Sequence, residues 1–222
     1  MSESQISRTM ISGDRLTMKL EIPVIGILRG IAAEKFSPLM QAAFSAGLQA
    51  IELTMNTPGA PEIIGTNKGQ VPAGKYLGLG TVCSLQEART AYEAGAMFFV
   101  TPNVDTQVIE FGCNKNIPVI AGALTPTEVY RAWDAGAAMI KVFPCRSMGG
   151  PVYIRELCGP FDQIPLVAVG GVSIENVGEH LRAGAAAIGV GISLFGEEAV
   201  KEEDWATVRN NVEKFVQRCK AV

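Results

Sequence analysis

The chain has 222 residues, and its 19 basic and 22 acidic side chains give a net charge of −3 at pH 7. This balance, with no basic block, argues against a nucleic-acid or anionic-membrane surface and favours small-molecule partners. The single histidine excludes zinc proteases and two-histidine metal centres, so we expect neither a metal nor another cofactor. Five cysteines without a C-x-x-C pair indicate a reducing cytoplasm rather than a disulfide framework.

The first 22 residues carry charges throughout and lack the apolar region of a signal peptide. They are expected to form an arm or extra helix that caps the bottom of the fold, with residues 23–222 forming one catalytic domain. No apolar run in the sequence approaches the roughly 18 residues that a membrane-spanning helix needs.

Eight short apolar runs, each followed by a turn signal and a helical pattern, predict parallel strands covered by helices. Ala-Gly pairs precede every second run, which indicates that one structural unit is reused. The runs are PVIGILRG (23–30), AIELTMN (50–56), YLGLGTV (76–82), FFVTPN (98–103), PVIAGAL (118–124), MIKVFP (139–144), LVAVGGV (166–172) and AIGVGISL (187–194).

Helix starts are expected at Ser84, Thr125 and Ser173, where capping-type residues follow the third, fifth and seventh runs. Dividing the 200 residues from 23 to 222 among eight units leaves 25 for each, without room for a second domain. This spacing predicts a single-domain (β/α)₈ TIM barrel. A doubly wound open sheet is the alternative, and it is disfavoured because ILRGIAAEKF replaces the G-x-G-x-x-G that would follow the first strand.

Two charged residues interrupt apolar strands, Glu52 in the second and Lys141 in the sixth. With a side-chain period of two, Glu52 shares a face with Thr54 and Asn56, while the aliphatic residues take the opposite face under the helices. Strands two and six lie opposite each other in an eight-stranded ring, so both charges are expected to meet inside the barrel. A buried structural ion pair is the alternative to a functional site.

A buried lysine can present a free amine, because a low dielectric disfavours the ammonium form. Such an amine attacks carbonyl carbons, and the resulting imine withdraws electrons and permits cleavage of a carbon–carbon bond without a metal. A neighbouring carboxylate can then move protons. We therefore predict that Lys141 is the nucleophile and Glu52 the general acid/base.

Six sequence segments, in the order in which they occur along the chain, are together similar to one known protein family. They are GILRG (26–30), AIELTMNTP (50–58), LGLGTV (77–82), FFVTPN (98–103), MIKVFP (139–144) and AVGGV (168–172). The chain after residue 22 resembles the 2-keto-3-deoxy-6-phosphogluconate / 2-keto-4-hydroxyglutarate (KDPG/KHG) aldolases. This resemblance implies a trimeric class I aldolase barrel that releases pyruvate, with the Schiff-base lysine at Lys141 and the acid/base glutamate at Glu52.

The resemblance also implies substrate contacts. Thr81 and Pro102 match positions that line the pyruvyl pocket, and Phe143 shares the face of Lys141. Asn56 stands where gluconate-type members carry arginine. Arg29 matches an arginine of galactonate-type relatives, and we interpret it as the ligand of the substrate carboxylate or hydroxyls. A salt bridge at the rim is the alternative for Arg29.

A phosphate is expected at the ends of the seventh and eighth strands. Gly170, Gly171 and Val172 precede the helix expected at Ser173, whose amine end suits an anion. Gly189 and Gly191 on the eighth strand would complete the usual barrel phosphate site. The family pattern there resembles Gly-Ser, whereas this chain has Gly191-Ile192, so the phosphate hydroxyl is missing unless Ser193 substitutes.

Two other functions remain open from the residues alone. A phosphate-binding isomerase or epimerase would share the glycines but use paired acids or a metal, and an inactive barrel scaffold would lack the inward lysine and glutamate. His180 lies in the polar stretch ENVGEHLRAG and is predicted to be a surface residue. Arg146 follows the sixth strand, where a solvent-exposed loop arginine is the simplest interpretation.

Overall fold

The computed structural model describes residues 15–18 and 20–222 and shows eight parallel strands in a closed barrel, ordered β1 to β8 around the ring. Each strand lies within one of the eight predicted apolar runs. The (β/α)₈ prediction is therefore confirmed, and the open doubly wound sheet is wrong. The strands are β1 Val24–Leu28, β2 Ala50–Thr54, β3 Tyr76–Gly80, β4 Phe99–Val100, β5 Val119–Ala123, β6 Met139–Val142, β7 Leu166–Val169 and β8 Ala187–Val190.

Helices follow the strands and surround the barrel. They are α1 Ala33–Ser45, α2 Ala60–Asn67, α3 Leu85–Ala94, α4 Thr106–Asn114, α5 Pro126–Asp134, α6 Pro151–Cys158, α7 Val177–Arg182, α8 Glu197–Lys201 and α9 Trp205–Lys220. Three short 3₁₀ helices cover Lys68–Gln70, Arg146–Met148 and Ile192–Leu194. Within the described residues, no helix combines the length and apolar character needed to cross a membrane.

Two of the three predicted helix starts are confirmed. Ser84 caps α3 by accepting the Glu87 N–H, and Thr125 forms a reciprocal capping box with Glu128 at α5. The start predicted at Ser173 is wrong, because α7 begins only at Val177. Residues 174–176 form a turn instead, in which the Ser173 N–H donates to the side chain of Asn176.

Side-chain alternation separates two hydrophobic clusters. Ile51 and Leu53 of β2 and Ile140 and Val142 of β6 pack outward into the large cluster beneath the helices. A second cluster fills the barrel interior with inward residues such as Ala50, Phe98, Met139 and Val167. This packing confirms the predicted outward orientation of the aliphatic sets, and it leaves Glu52 and Lys141 on the inward faces of their strands.

The described part of the N-terminal arm lies against the barrel without forming a helix. Met18 is buried in the interior cluster beside Ala50 and Met139, the first residues of their strands. The Arg15 guanidinium lies over the Trp133 ring, 3.5 Å from its centroid, and donates to two backbone carbonyls at the end of α5 and beyond. Residues 1–14 and 19 of the predicted arm lie outside the described residues, and the division at residue 22 stays a prediction.

Candidate active site

A cavity of about 470 Å³ lies where the carboxyl ends of the strands meet. Twelve of the thirteen predicted site residues line it. They are Arg29, Glu52, Thr81, Pro102, Lys141, Phe143, Gly170, Gly171, Val172, Gly189, Gly191 and Ser193. The barrel thus brings residues from seven strands and the loops that follow them to one place.

Asn56 is the predicted site residue that does not line this cavity. Strand β2 ends at Thr54, so the alternation that would turn Asn56 inward no longer applies, and Asn56 is exposed in the following turn. Its role in binding substrate stays a prediction. Three apolar wall residues were missed, namely Ile27, Val169 and Val190. Alternation from Arg29 would have found Ile27, and continuing the β7 pattern would have found Val169.

Lys141 projects from the inner face of β6 into this cavity. It is 7% exposed and is the only buried lysine among the residues that the structure describes. Its Nζ lies 5.2 Å from the centroid of the Phe143 ring, close enough for a cation–π contact in the ammonium form. A lysine nitrogen is therefore held in a mostly apolar wall that remains open to a small ligand.

Glu52 projects from β2 and is 2% exposed. Its Oε1 has no hydrogen-bond partner within the described chain. Burial raises the pKa of the Glu52 carboxyl, and the charges of Lys141 and Arg29 oppose this rise only in part. A carboxyl group in this state can hold a proton and release it to a bound substrate.

The position of the carboxyl group depends on Gly80. A Cβ added at Gly80 would lie 2.2 Å from Glu52 Oε1 and 2.5 Å from Cδ, far inside van der Waals contact. The missing side chain at Gly80 therefore provides the space that the Glu52 carboxyl occupies.

Glu52 and Lys141 face one cavity from opposite strands without forming an ion pair. The two ion pairs found in residues 15–18 and 20–222 are Lys35–Glu203 and Lys201–Glu198, both at the surface. The alternative of a buried structural ion pair is therefore wrong for the described structure. A gap between amine and carboxyl leaves room for a substrate to contact both.

Arg29 and Thr81 lie together at one side of the opening. The Arg29 Nη2 donates to Thr81 Oγ1 over 3.4 Å, a long hydrogen bond, and no carboxylate of the described residues pairs with Arg29. Thr81 has a φ of 56°, which is unusual for a β-branched residue. Strain of this kind concentrates at functional sites, and here it occurs at a residue that lines the cavity.

The expected phosphate end is a glycine loop rather than a helix terminus. Gly170 and Gly171 have φ values of 100° and 79°, and both line the cavity. Ser193 also lines the cavity, whereas Ile192 packs against the hydrophobic core. The hydroxyl that Ile192 lacks is therefore available one residue later in the chain.

His180 is not the surface residue that its polar neighbours suggest. It is 2% exposed on α7 and lines a second cavity, beside the loop that follows β6. Arg146 is exposed, as predicted, and lines the same second cavity.

Comparison with known proteins agrees with this geometry. A family model described as KDPG and KHG aldolase matches residues 15–211. A probable 2-dehydro-3-deoxy-6-phosphogalactonate aldolase of Rhizobium meliloti is 35% identical over 82% of this chain and 86% of its own. The corresponding Escherichia coli enzyme is 33% identical over 79% of this chain and 85% of its own.

Solved structures show the same similarity. A native KDPGal structure superimposes with a TM-score of 0.85 at 29% identity, covering 92% of this chain and 98% of that one. The Legionella pneumophila KDPG aldolase, captured with pyruvate as a covalent carbinolamine, has a TM-score of 0.80 at 27% identity and covers 86% of this chain and 92% of its own.

The barrel carries a buried lysine at the carboxyl end of its strands. Together with the similarity to these relatives, this defines the protein as a class I aldolase. The isomerase and scaffold alternatives are not supported. The chain belongs to the KDPG and KHG aldolase family.

Proposed function

We propose that Lys141 forms a Schiff base with a 2-keto acid and that Glu52 moves the protons while the acid is cleaved to pyruvate and an aldehyde. The observation that carries this proposal is the pairing of a buried lysine with a buried carboxyl group across one cavity without an ion pair. An ion pair would hold the lysine as an ammonium ion and block attack on a carbonyl.

The steps use only these groups and water. The Lys141 amine attacks the keto carbon, and loss of water from the carbinolamine gives a protonated imine. Glu52 as carboxylate removes the proton of the C4 hydroxyl, the C3–C4 bond breaks, and its electrons move into the imine to form an enamine while the aldehyde leaves. Protonation of the enamine carbon and hydrolysis then release pyruvate and restore the free amine.

The rest of the cavity offers contacts for the two ends of the substrate. Arg29 supplies a cation without an ion-pair partner among the described residues for the carboxylate or hydroxyls, and Thr81 lies within its reach. Pro102 and Phe143 provide an apolar wall beside Lys141. The backbone of the Gly170–Val172 loop, with Gly189, Gly191 and Ser193, is the proposed phosphate subsite for phosphorylated acids such as those named for the relatives.

Borohydride trapping tests the nucleophile. Treating the protein with pyruvate and borohydride should attach the reduced pyruvyl group to Lys141, as located by mass spectrometry of peptides. Lys141→Arg should abolish both the adduct and turnover, while Lys115→Arg, a matched change at an exposed lysine, should alter neither. An adduct on another lysine, or turnover in Lys141→Arg, would overturn the proposal.

The substrate class is tested by a retro-aldol assay. Pyruvate release should be measured with phosphorylated and unphosphorylated 2-keto-3-deoxy acids and with 4-hydroxy-2-oxoglutarate. Turnover of at least one acid is required. The acid with the highest kcat/KM identifies the substrate, including its stereochemistry.

We also propose that the enzyme is a homotrimer in the cytoplasm. Tyr130 on α5 and Val152 on α6 are 57% and 59% exposed, and Met148 before α6 is 44% exposed. Apolar side chains this exposed on neighbouring helices are suited to contact a second copy of the chain. Sedimentation velocity should give about three times the 23.6 kDa chain mass, and Val152→Asp should shift the protein towards monomer.

A further inference from the structure

A second cavity of about 580 Å³ lies between the loop after β6 and the loop after β7. Gly171 and Val172 line both this cavity and the one around Lys141, so the Gly170–Val172 loop separates the two. None of the groups on the far side of that loop takes part in the imine chemistry. Their arrangement nevertheless has the features of a binding site.

His180 is the buried polar group of this cavity. Its Nδ1 lies 3.2 Å from the Asn176 carbonyl oxygen, which can only accept, so this contact is a hydrogen bond when Nδ1 carries the ring proton. Nε2 has no hydrogen-bond partner within the described residues and lies 3.7 Å from the position that a Cβ of Gly150 would take. Because residue 150 is glycine, the Nε2 edge of the ring stays open to the cavity.

Arg146 supplies the positive charge. Its aliphatic stem lies against Gly171, where an added Cβ would come within 2.5 to 2.9 Å of the Arg146 Cβ, Cγ and Cδ atoms. No ion pair in residues 15–18 and 20–222 involves the Arg146 guanidinium, and no carboxylate of these residues lines the cavity. Glu175, the nearest acid along the β7 loop, accepts a hydrogen bond from Ser173 instead.

The backbone N–H groups of the loop at Gly150 are used within the loop itself. Gly150 is the N-cap of α6, and no side chain caps this helix end. The Gly149 and Gly150 N–H groups donate to the carbonyl oxygens of Arg146 and Cys145, and Pro151 has no N–H, so these lining residues supply no free backbone donor. The recognition groups of this cavity are therefore the side chains of Arg146 and His180, which both line it.

We propose that this cavity is a second oxyanion site that binds a phosphate monoester. The Arg146 fork suits two phosphate oxygens, and the third oxygen can share a proton with His180 Nε2, because a phosphate monoester loses its last proton near a pKa of about 6. The phosphate group has two possible sources: the distal end of the aldol substrate, reaching past Gly171, or a separate phosphate ester.

The single histidine of the chain makes a direct test possible, since selective ¹⁵N-histidine labelling yields the ring signals of His180 alone. Adding inorganic phosphate to the intact protein should shift the Nε2 signal saturably, whereas chloride at equal ionic strength should not. Arg146→Gln should weaken this phosphate binding about tenfold or more. Arg155→Gln, which removes one exposed charge from α6 outside the cavity, should leave it unchanged.

Two results would overturn the proposal: an Nε2 signal that does not respond to phosphate in the wild-type protein, or equal phosphate affinity in wild type and Arg146→Gln. Protein whose Lys141 has been blocked by pyruvate and borohydride should still bind phosphate at His180. If trapping labels no lysine, the proposed aldolase mechanism fails. The response of the His180 Nε2 signal to phosphate then still shows whether the second cavity binds an oxyanion.

Retro-aldol kinetics of Arg146→Gln identify the source of the phosphate. A fall in kcat/KM on the phosphorylated acid alone assigns the phosphate to the substrate. Unchanged kcat/KM on phosphorylated and unphosphorylated acids, with weakened binding of inorganic phosphate, assigns the site to a separate phosphate ester.

Discussion

Replacing Gly80 by alanine should damage catalysis through Glu52 without touching Lys141. The added Cβ would lie 2.2 Å from Glu52 Oε1, while ordinary contact begins at 3.4 Å, so the carboxyl must move by 3.4 − 2.2 = 1.2 Å. A misplacement of about 1 Å at a reacting group can cost roughly 10²-fold in rate. We therefore expect kcat to fall about a hundredfold in Gly80→Ala.

The assay combines turnover, trapping and stability. Pyruvate release should drop about a hundredfold, while trapping of pyruvate on Lys141 by borohydride should persist, because Lys141 lies on β6, across the barrel from Glu52. Overpacking typically costs about 1 to 3 kcal/mol of unfolding free energy, so a thermal melt must confirm that the variant is folded at the assay temperature. Gly65→Ala is the matched control, since its Cβ would have no contact closer than 3.8 Å.

A double-mutant comparison decides whether Gly80 acts through Glu52. If it does, adding Gly80→Ala to Glu52→Gln should lower kcat by far less than the hundredfold expected when Gly80→Ala is made in the wild-type protein, because the carboxylate is already lost. Activity of Gly80→Ala within a few-fold of wild type would refute the reasoning. So would an undiminished hundredfold loss in the Glu52→Gln background.

Three further predictions follow from the site. Glu52→Gln should lower kcat by about 10² to 10⁴-fold with imine trapping retained, and activity near that of wild type would mean that Glu52 moves no proton. The folded-state pKa of Glu52 is raised, so between the ordinary glutamate pKa of about 4.3 and that higher value the folded protein holds a proton that the unfolded chain has released. The unfolding free energy should therefore fall as pH rises through this window, and denaturant titrations should show a flatter pH dependence for Glu52→Gln. Ser193→Ala should lower kcat/KM on a phosphorylated acid by about ten- to a hundredfold and leave unphosphorylated acids unaffected, and equal effects on both would remove Ser193 from the phosphate subsite.

Much of the fold and most of the site follow from local patterns in the sequence. Eight apolar runs at regular spacing predict parallel strands covered by helices, because each run can then bury both faces. The missing G-x-G-x-x-G after the first run favours the barrel over the open sheet. A period of two then turns Glu52 and Lys141 inward, and the opposite positions of the second and sixth strands direct both to one cavity. These inferences require no interatomic distances. They depend only on the alternation of side chains along each strand and on the order of the strands around the barrel.

The tertiary structure decided what depends on distance and on packing between loops. Asn56 does not share the inward face of Glu52 as predicted, because β2 ends two residues before Asn56. The end of a strand is set by its pairing with neighbouring strands. Glu52 stays apart from Lys141 because Gly80, on another strand, makes room for its carboxyl. His180 is buried although its sequence neighbours are polar, because the loops after β6 and β7 close around it. Such contacts join residues far apart in the chain, so no periodic pattern along the sequence records them.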